Sequence, residues 1–294
     1  MTATGSGFIR PLVTDATIIN GIGDLAGRYD ALLCDAWGVI HNGVELFPGA
    51  RDAMERFRAG GGTIVILTNA PRPSSIIPAQ LSRLGLPTTA YDDVVTSGDS
   101  TRAEIEQMLP AQAFRIGPAK DDPLFEELAI EFAPLERAKF IICTGLENDH
   151  REEPEDYRDL LVSALARSLP MICANPDIVV NWGGRMIWCA GAIAEIYEKI
   201  GGKVIYGGKP HAPIYRLAMA AITAARGSPV EKRRILAIGD GLKTDIGGAN
   251  AAGVDALFVS GSGGIHVGDG VQSIGERIHE AGVNVIGVTE ALRW

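Results

Sequence analysis

Four short stretches of this 294-residue chain put reactive side chains directly after apolar runs. Asp35 follows Ala31-Leu32-Leu33-Cys34 and precedes the turn Ala36-Trp37-Gly38. A carboxylate delivered by an apolar strand must find a cation, a donor or solvent, because an unpaired charge is expensive to bury; a turn-capping Asp is the plain alternative. Thr68-Asn69 closes a second run, Thr63-Ile64-Val65-Ile66-Leu67, where a hydroxyl beside backbone amides can hold an anionic oxygen. Thr-Asn-x-Pro is equally ordinary turn chemistry, and Arg72, just behind it, either adds positive charge or is a surface side chain. Gly207-Gly208-Lys209-Pro210-His211 places an ammonium among glycines, as a point charge for phosphate or carboxylate or as a solvated lysine. Asp240 and Asp245 follow Ile235-Leu236-Ala237-Ile238 and offer hard oxygen ligands of the kind Mg²⁺ prefers. Thr244-Asp245 also suits a helix N-terminus.

Strands must carry these groups. The runs at 31–35, 63–67, 94–96, 235–238 and 255–259 read as buried parallel strands, and Gly49–Gly60 between the first two reads as a helix closing on glycine. That alternation predicts an α/β fold with a doubly wound parallel sheet. All four stretches then fall at the carboxyl ends of predicted strands, where open parallel sheets bind ligands. The middle repeats the alternation by itself: strand-like 114–116, helical 122–130, strand-like 139–143, helical 155–168 and strand-like 170–174, with an acidic loop at 147–154. The expected division is therefore a Rossmann-like core over 1–110 and 190–294 with an inserted α/β unit at 111–189. The core resumes with helical 191–200 and strand-like 203–206. Gly21-Ile22-Gly23 with Gly27 has the wrong spacing for a dinucleotide loop and no clear strand before it.

Composition narrows the class. The net charge of −9 leaves no basic surface to neutralise a nucleic-acid backbone, so nucleic acid is not an expected partner. No apolar run approaches a membrane span, and Met1–Gly7 shows neither the positive nor the apolar stretch of a secretion leader, so the expectation is a soluble, cytoplasmic protein. Cys34, Cys143, Cys173 and Cys189 sit in or beside apolar segments without metal-ligand spacing and read as reduced core thiols.

Taken in order, Asp-x-x-Gly-Val from Asp35, Thr68-Asn69, Gly208-Lys209-Pro210 and Gly-Asp-x-x-x-Thr-Asp-Ile from Gly239 resemble the four motifs of the haloacid dehalogenase superfamily of aspartate-nucleophile hydrolases. The long insertion between Thr68 and Lys209 resembles the class IIA branch with its α/β cap, and Ala174-Asn175-Pro176-Asp177 resembles the Asn-Pro-Asp segment of that cap. The resemblance covers roughly residues 29 to 260. It implies a Mg²⁺-dependent phosphatase in which Asp35 attacks phosphorus and water hydrolyses the aspartyl-phosphate. Asp35, Asp240 and the carbonyl of Trp37 would hold the metal, with Asp245 behind them or acting through water. Thr68 and Lys209 would bind the phosphoryl group, and Asn69, Arg72, Asn175 and Asp177 are candidate contacts to a small phosphorylated substrate. Asn181 and Arg185 are further polar residues of the expected cap loop. Related caps often dimerise, which leaves a homodimer through the cap open; the sequence itself does not fix the oligomeric state.

One position departs from the motif. Phosphatases of this superfamily carry a second Asp two residues after the nucleophile, which protonates the leaving oxygen and then activates water; here that residue is Trp37. Metal binding through the backbone carbonyl should survive, whereas turnover of alkyl phosphates should fall by about 10²–10⁴-fold, the usual worth of a general acid–base group. Acyl phosphates, aryl phosphates and phosphoanhydrides need less protonation. His41, six residues past Asp35, and His211 are the histidines placed to substitute for the acid. Two alternatives stand beside the phosphatase: a weakly catalytic protein that binds a phosphometabolite, and a dehalogenase. Dehalogenases of the superfamily also carry an aromatic residue at this position, but they need no metal and do not keep the acidic pair Asp240 and Asp245.

Overall fold

The computed structural model describes residues 17–261 and 273–294. The stretch Met1–Gly7 lies outside them, and among the described residues no helix is long and apolar enough to cross a membrane.

In chain order the strands and α-helices are β1 (Ala31–Cys34), α1 (Ala50–Ala59), β2 (Thr63–Thr68), α2 (Ile77–Arg83), β3 (Asp93–Thr96), α3 (Ser97–Met108), β4 (Ala113–Ile116), β5 (Phe140–Cys143), α4 (Arg158–Ala166), β6 (Met171–Cys173), β7 (Val179–Trp182), β8 (Arg185–Trp188), α5 (Ala190–Lys199), β9 (Val204–Tyr206), α6 (Ala212–Arg226), β10 (Ile235–Gly239), α7 (Gly247–Ala252), β11 (Asp255–Val259), α8 (Ile274–Glu280) and β12 (Gly287–Thr289). Six strands form a parallel sheet in the order β12-β11-β10-β1-β2-β3. β1 lies at its centre, with Cys34 opposite Ile238 on one side and Ile66 on the other. Its side chains alternate between two cores. Leu32 and Cys34 join Met54 and Phe57 of α1 on one face, while Ala31 and Leu33 join Ile214, Ala218 and Ile222 of α6 on the other. Burial on both faces explains why these strands read as unbroken apolar runs rather than alternating ones.

The inserted α/β cap carries its own parallel sheet, ordered β4-β5-β6-β9, and a separate antiparallel hairpin of β7 and β8. The expected boundary at 189 to 190 does not coincide with the edge of that sheet. β9 pairs with β6, Met171 opposite Val204, and Ala190, Ile193, Ala194 and Tyr197 of α5 pack into the cap core. The apolar face of α5 decides the matter, because it matches the cap sheet, and the chain returns to the core only with the segment that leads into α6. A second expectation also changes: 122–130 is not one helix. A short 3₁₀ helix spans Ala119–Phe125 with Pro123 inside it, and Glu127 turns the chain at φ +63°. A proline within the helix removes one backbone donor, and the left-handed turn at Glu127 redirects the chain.

Candidate active site

The tips of β1, β2 and β10 bring the sequence-distant motifs together. Asp35 follows β1, and its N–H donates to the Ile238 carbonyl of β10 at 2.9 Å, which fixes the first turn after the strand. The Lys209 ammonium is buried and donates to Asp35 Oδ1 at 2.7 Å, to Asp245 Oδ1 at 2.6 Å and to the Leu67 carbonyl at 2.8 Å. Asn69 positions that lysine: its Oδ1 accepts from the Lys209 N–H at 2.8 Å and its Nδ2 donates to the Lys209 carbonyl at 3.3 Å. Asp245 is held in turn by the Gly241 N–H, which donates to its Oδ2 at 3.0 Å. Gly38 has φ +83°, and a Cβ there would lie 2.1 Å from Oδ2 of Asp240. Only glycine lets the loop after Asp35 approach the second carboxylate this closely.

Asp35, Asp240 and Asp245 are all buried and offer ligand oxygens within 4.8 Å of one another. Burial, with the Asp245 charge adding and Lys209 opposing, pushes Asp35 up to about 8. Burial and the neighbouring carboxylates likewise push Asp240 well above the ordinary carboxylate range. Lys209 stays protonated: burial opposes its charge, but Asp245, Asp35 and Asp177 outweigh that. Three carboxyl groups facing one ammonium in a buried space resist ionising together, and oxygen donors in this arrangement fit a hard divalent cation, whose charge would favour their ionised forms. The Trp37 carbonyl is left out of the bridge that pairs Trp37 with His41, whose bonds run from Gly38 N–H to the His41 carbonyl and from His41 N–H to the Ala36 carbonyl.

A cavity of about 480 Å³ lies between this cluster and the cap. From the core side, Trp37, His41, Thr68, Asn69 and Arg72 line it; Asn175 and Asp177 line it from the cap. Asp177 Oδ1 accepts from Asn69 Nδ2 at 2.8 Å, a hydrogen bond that joins cap to core, and its own N–H donates to Asn175 Oδ1 at 3.1 Å. Burial pushes its carboxyl up to about 6 against the pull of Lys209. Arg72 donates to Gln80 Oε1 at 3.2 Å and stands 3.8 Å from Asp121.

His41 does not suit the role of substitute acid. It is 2 % exposed, its Nδ1 accepts from the Gly43 N–H at 2.9 Å, and burial lowers its pKa to about 4. The ring is therefore neutral near pH 7, with no imidazolium proton to give. His211 caps α6 and stacks on Tyr206, 4.8 Å between centroids, with burial lowering its pKa as well. Asn181 and Arg185 serve the hairpin itself: Asn181 Oδ1 accepts from Gly184 N–H at 2.8 Å, and Arg185 donates to the His150 carbonyl at 2.9 Å.

Sequence reasoning missed the cap wall of the cavity: Lys120, Asp149, His150, Trp182 and Trp188. A usable signal was present, since three of the four tryptophans in the chain, Trp37, Trp182 and Trp188, line this one space.

Comparisons with known proteins bear on the fold and the family. The haloacid dehalogenase-like hydrolase profile matches residues 32–131, and a related HAD-like hydrolase profile matches residues 206–275. A solved haloacid dehalogenase-like hydrolase from Brucella suis 1330 is 45% identical, superposes with a TM-score of 0.86, and is matched over 93% of this chain and 99% of its own. D-glycerol 3-phosphate phosphatase of Mycobacterium tuberculosis is 29% identical over 242 residues, 80% of this chain; the chain spans 64% of that relative's length. The magnesium complex of glycerol phosphate phosphatase Rv1692 from Mycobacterium tuberculosis is 25% identical with a TM-score of 0.62, over 84% of this chain and 71% of that one. With its motifs gathered at the strand tips under an α/β cap and a near full-length relative at 45% identity, the chain belongs to the haloacid dehalogenase-like hydrolase family.

Proposed function

We propose that the protein is a Mg²⁺-dependent phosphatase acting on a small phosphorylated metabolite through an aspartyl-phosphate. The observation that carries the reading is the buried set of Asp35, Asp240, Asp245 and Lys209, joined through Asn69 to the cavity that Thr68, Asn69 and Asp177 line. Asp35, Asp240 and the Trp37 carbonyl would hold the ion, with Asp245 behind them. Bound there, Mg²⁺ would neutralise phosphoryl charge and keep Asp35 ionised. Asp35 Oδ attacks phosphorus, and the bond to the leaving oxygen breaks toward the cavity. Lys209 and the Thr68 hydroxyl hold the phosphoryl oxygens in line, which is most of what this reaction asks of a protein. Water then attacks the acyl-phosphate and releases Asp35. Asn69, Arg72, Asn175 and Asp177 line the cavity into which the leaving group would extend.

Trp37 has no proton to transfer and His41 is neutral, so acyl phosphates, aryl phosphates and phosphoanhydrides are the favoured substrates. The same tryptophan supports a second reading, a phosphometabolite-binding protein with little turnover. One experiment separates the two: phosphate release from a panel of alkyl, aryl and acyl phosphates, with Mg²⁺ and with chelator, beside Asp35→Asn. Release that persists in Asp35→Asn would sink the nucleophile assignment, and tight Mg²⁺-dependent binding without release across the panel selects the binding protein.

A further inference from the structure

Trp37, standing where the superfamily's second acid would be, reaches out of the core. Its indole N–H donates to the Asn181 main-chain carbonyl in β7 at 2.9 Å. Beside it, Gly183 N–H donates to the Asn42 carbonyl at 3.1 Å. Gly43 lies between the two chains with φ +86°, and a Cβ there would sit 2.4 Å from Cδ1 of Trp182 and 2.6 Å from Cη2 of Trp37. The two indoles therefore converge on a residue that has no side chain. Behind them His41 stands edge-on to Trp37, 5.1 Å between centroids at 70°, and is fixed in its turn by the Gly43 N–H.

The element held in this way needs holding. β7 and β8 pair with each other and with neither sheet among the described residues, and a lone two-stranded hairpin is marginal in water. It is tied to the cap loop through Arg185 to the His150 carbonyl and through Trp188 Nε1 to Glu153 Oε2 at 2.5 Å. The hairpin also walls the cavity, through Val180, Trp182, Ile187 and Trp188, and its β7 backbone is tied to the loop after Asp35.

We infer that Trp37 is a positioning residue: its indole N–H tethers the β7–β8 hairpin to the nucleophile loop and holds it as a fixed wall of the cavity. The position thus serves the shape of the site instead of proton transfer. A fixed wall discriminates among leaving groups by size, a consequence that rests on the phosphatase reading; the tether itself does not.

The test is hydrogen exchange on the 294-residue chain and on its Trp37→Phe variant, which removes the N–H donor but keeps a ring against Gly43 and His41. A neutral hydrogen bond is worth roughly one factor of ten, so the amides of 179–188 are expected to exchange about tenfold faster in the variant while those of β1 and β10 stay unchanged. Hairpin exchange equal to wild type overturns the tether. So does an equal acceleration throughout the chain, which marks general destabilisation. A kinetic arm compares 1-naphthyl phosphate with acetyl phosphate: the ratio of their kcat/KM values should rise in Trp37→Phe as the wall is freed, and an unchanged ratio overturns the size-selection claim. If the wild type turns over neither compound, the phosphatase reading fails alone and the exchange experiment still decides the tether.

Discussion

The floor and the roof of the cavity are held by different means. The floor is the cluster at the tips of β1, β2 and β10, strands buried on both faces and registered against their neighbours, with Lys209 brought in on the segment that follows β9 of the cap sheet. The roof is a two-stranded hairpin and the cap loops, with Trp182 still 40 % exposed and Asp177 tied to the core by its hydrogen bond to Asn69. Deep parallel pairing fixes angles and distances for chemistry, whereas a hairpin on polar tethers can change its side chains without disturbing the sheet. Reaction class therefore resides in the floor and substrate choice in the roof.

The sharpest break of that contrast is at the floor. Asp35→Asn should abolish phosphate release, by ~10⁴-fold or more, the scale on which removing a covalent nucleophile acts. Far-UV circular dichroism should stay unchanged, since the amide keeps the shape of the turn. Chelation should lower turnover to background and added Mg²⁺ restore it, with Asp240→Asn beyond rescue; retention of full activity in chelator would overturn the metal assignment. Trp37→Asp crosses from roof to floor by exchanging the tether for an acid. Hydrolysis of alkyl phosphates should rise, by up to about 10²–10⁴-fold if the missing acid is all that limits it. The ratio of alkyl to aryl kcat/KM is the measurement, and a ratio equal to wild type means that the acid was not limiting.

The smallest effect is expected at the roof, in stability. Asp177 has a folded pKa of about 6, above the ordinary carboxylate value, so the native state holds this proton more tightly than the unfolded chain. Its contribution therefore falls as pH rises from about 4 through about 6. Asp177→Asn cannot ionise, so its melting temperature relative to wild type should be higher at about pH 8 than at about pH 4, measured without metal. The amide oxygen can still accept from Asn69, which keeps the cap joined to the core. An equal difference at the two pH values contradicts the assignment.

Much of the floor was legible in the sequence because each element announces itself locally. A strand buried on both faces is a continuous apolar run, and the residue after it is at the ligand-binding edge whatever its partners are. Asp35, Thr68, Asn69 and Asp240 could thus be named from their positions after Leu33-Cys34, Leu67 and Ile238-Gly239, whereas Lys209 was named from the glycines before it and Asp245 from its spacing to Asp240. The roof announces little. Val179–Trp182 and Arg185–Trp188 are four-residue strands with half-exposed side chains, too short for a period to emerge, and α5 with β9 resembles any helix and strand of the core until its packing partner is known.

By itself, then, the sequence determined the reaction class: an acidic and lysine cluster at parallel strand tips, lacking its second acid. Tertiary structure alone decided what each ambiguous side chain does. His41 lost its proton-donor role through burial and the Gly43 N–H, neither visible in Ile40-His41-Asn42-Gly43. Trp37 gained a partner 144 residues away, through a backbone carbonyl that any residue at 181 would offer. A contact to the main chain leaves no mark on residue type, and desolvation depends on everything packed around a group. Both are properties of the folded chain.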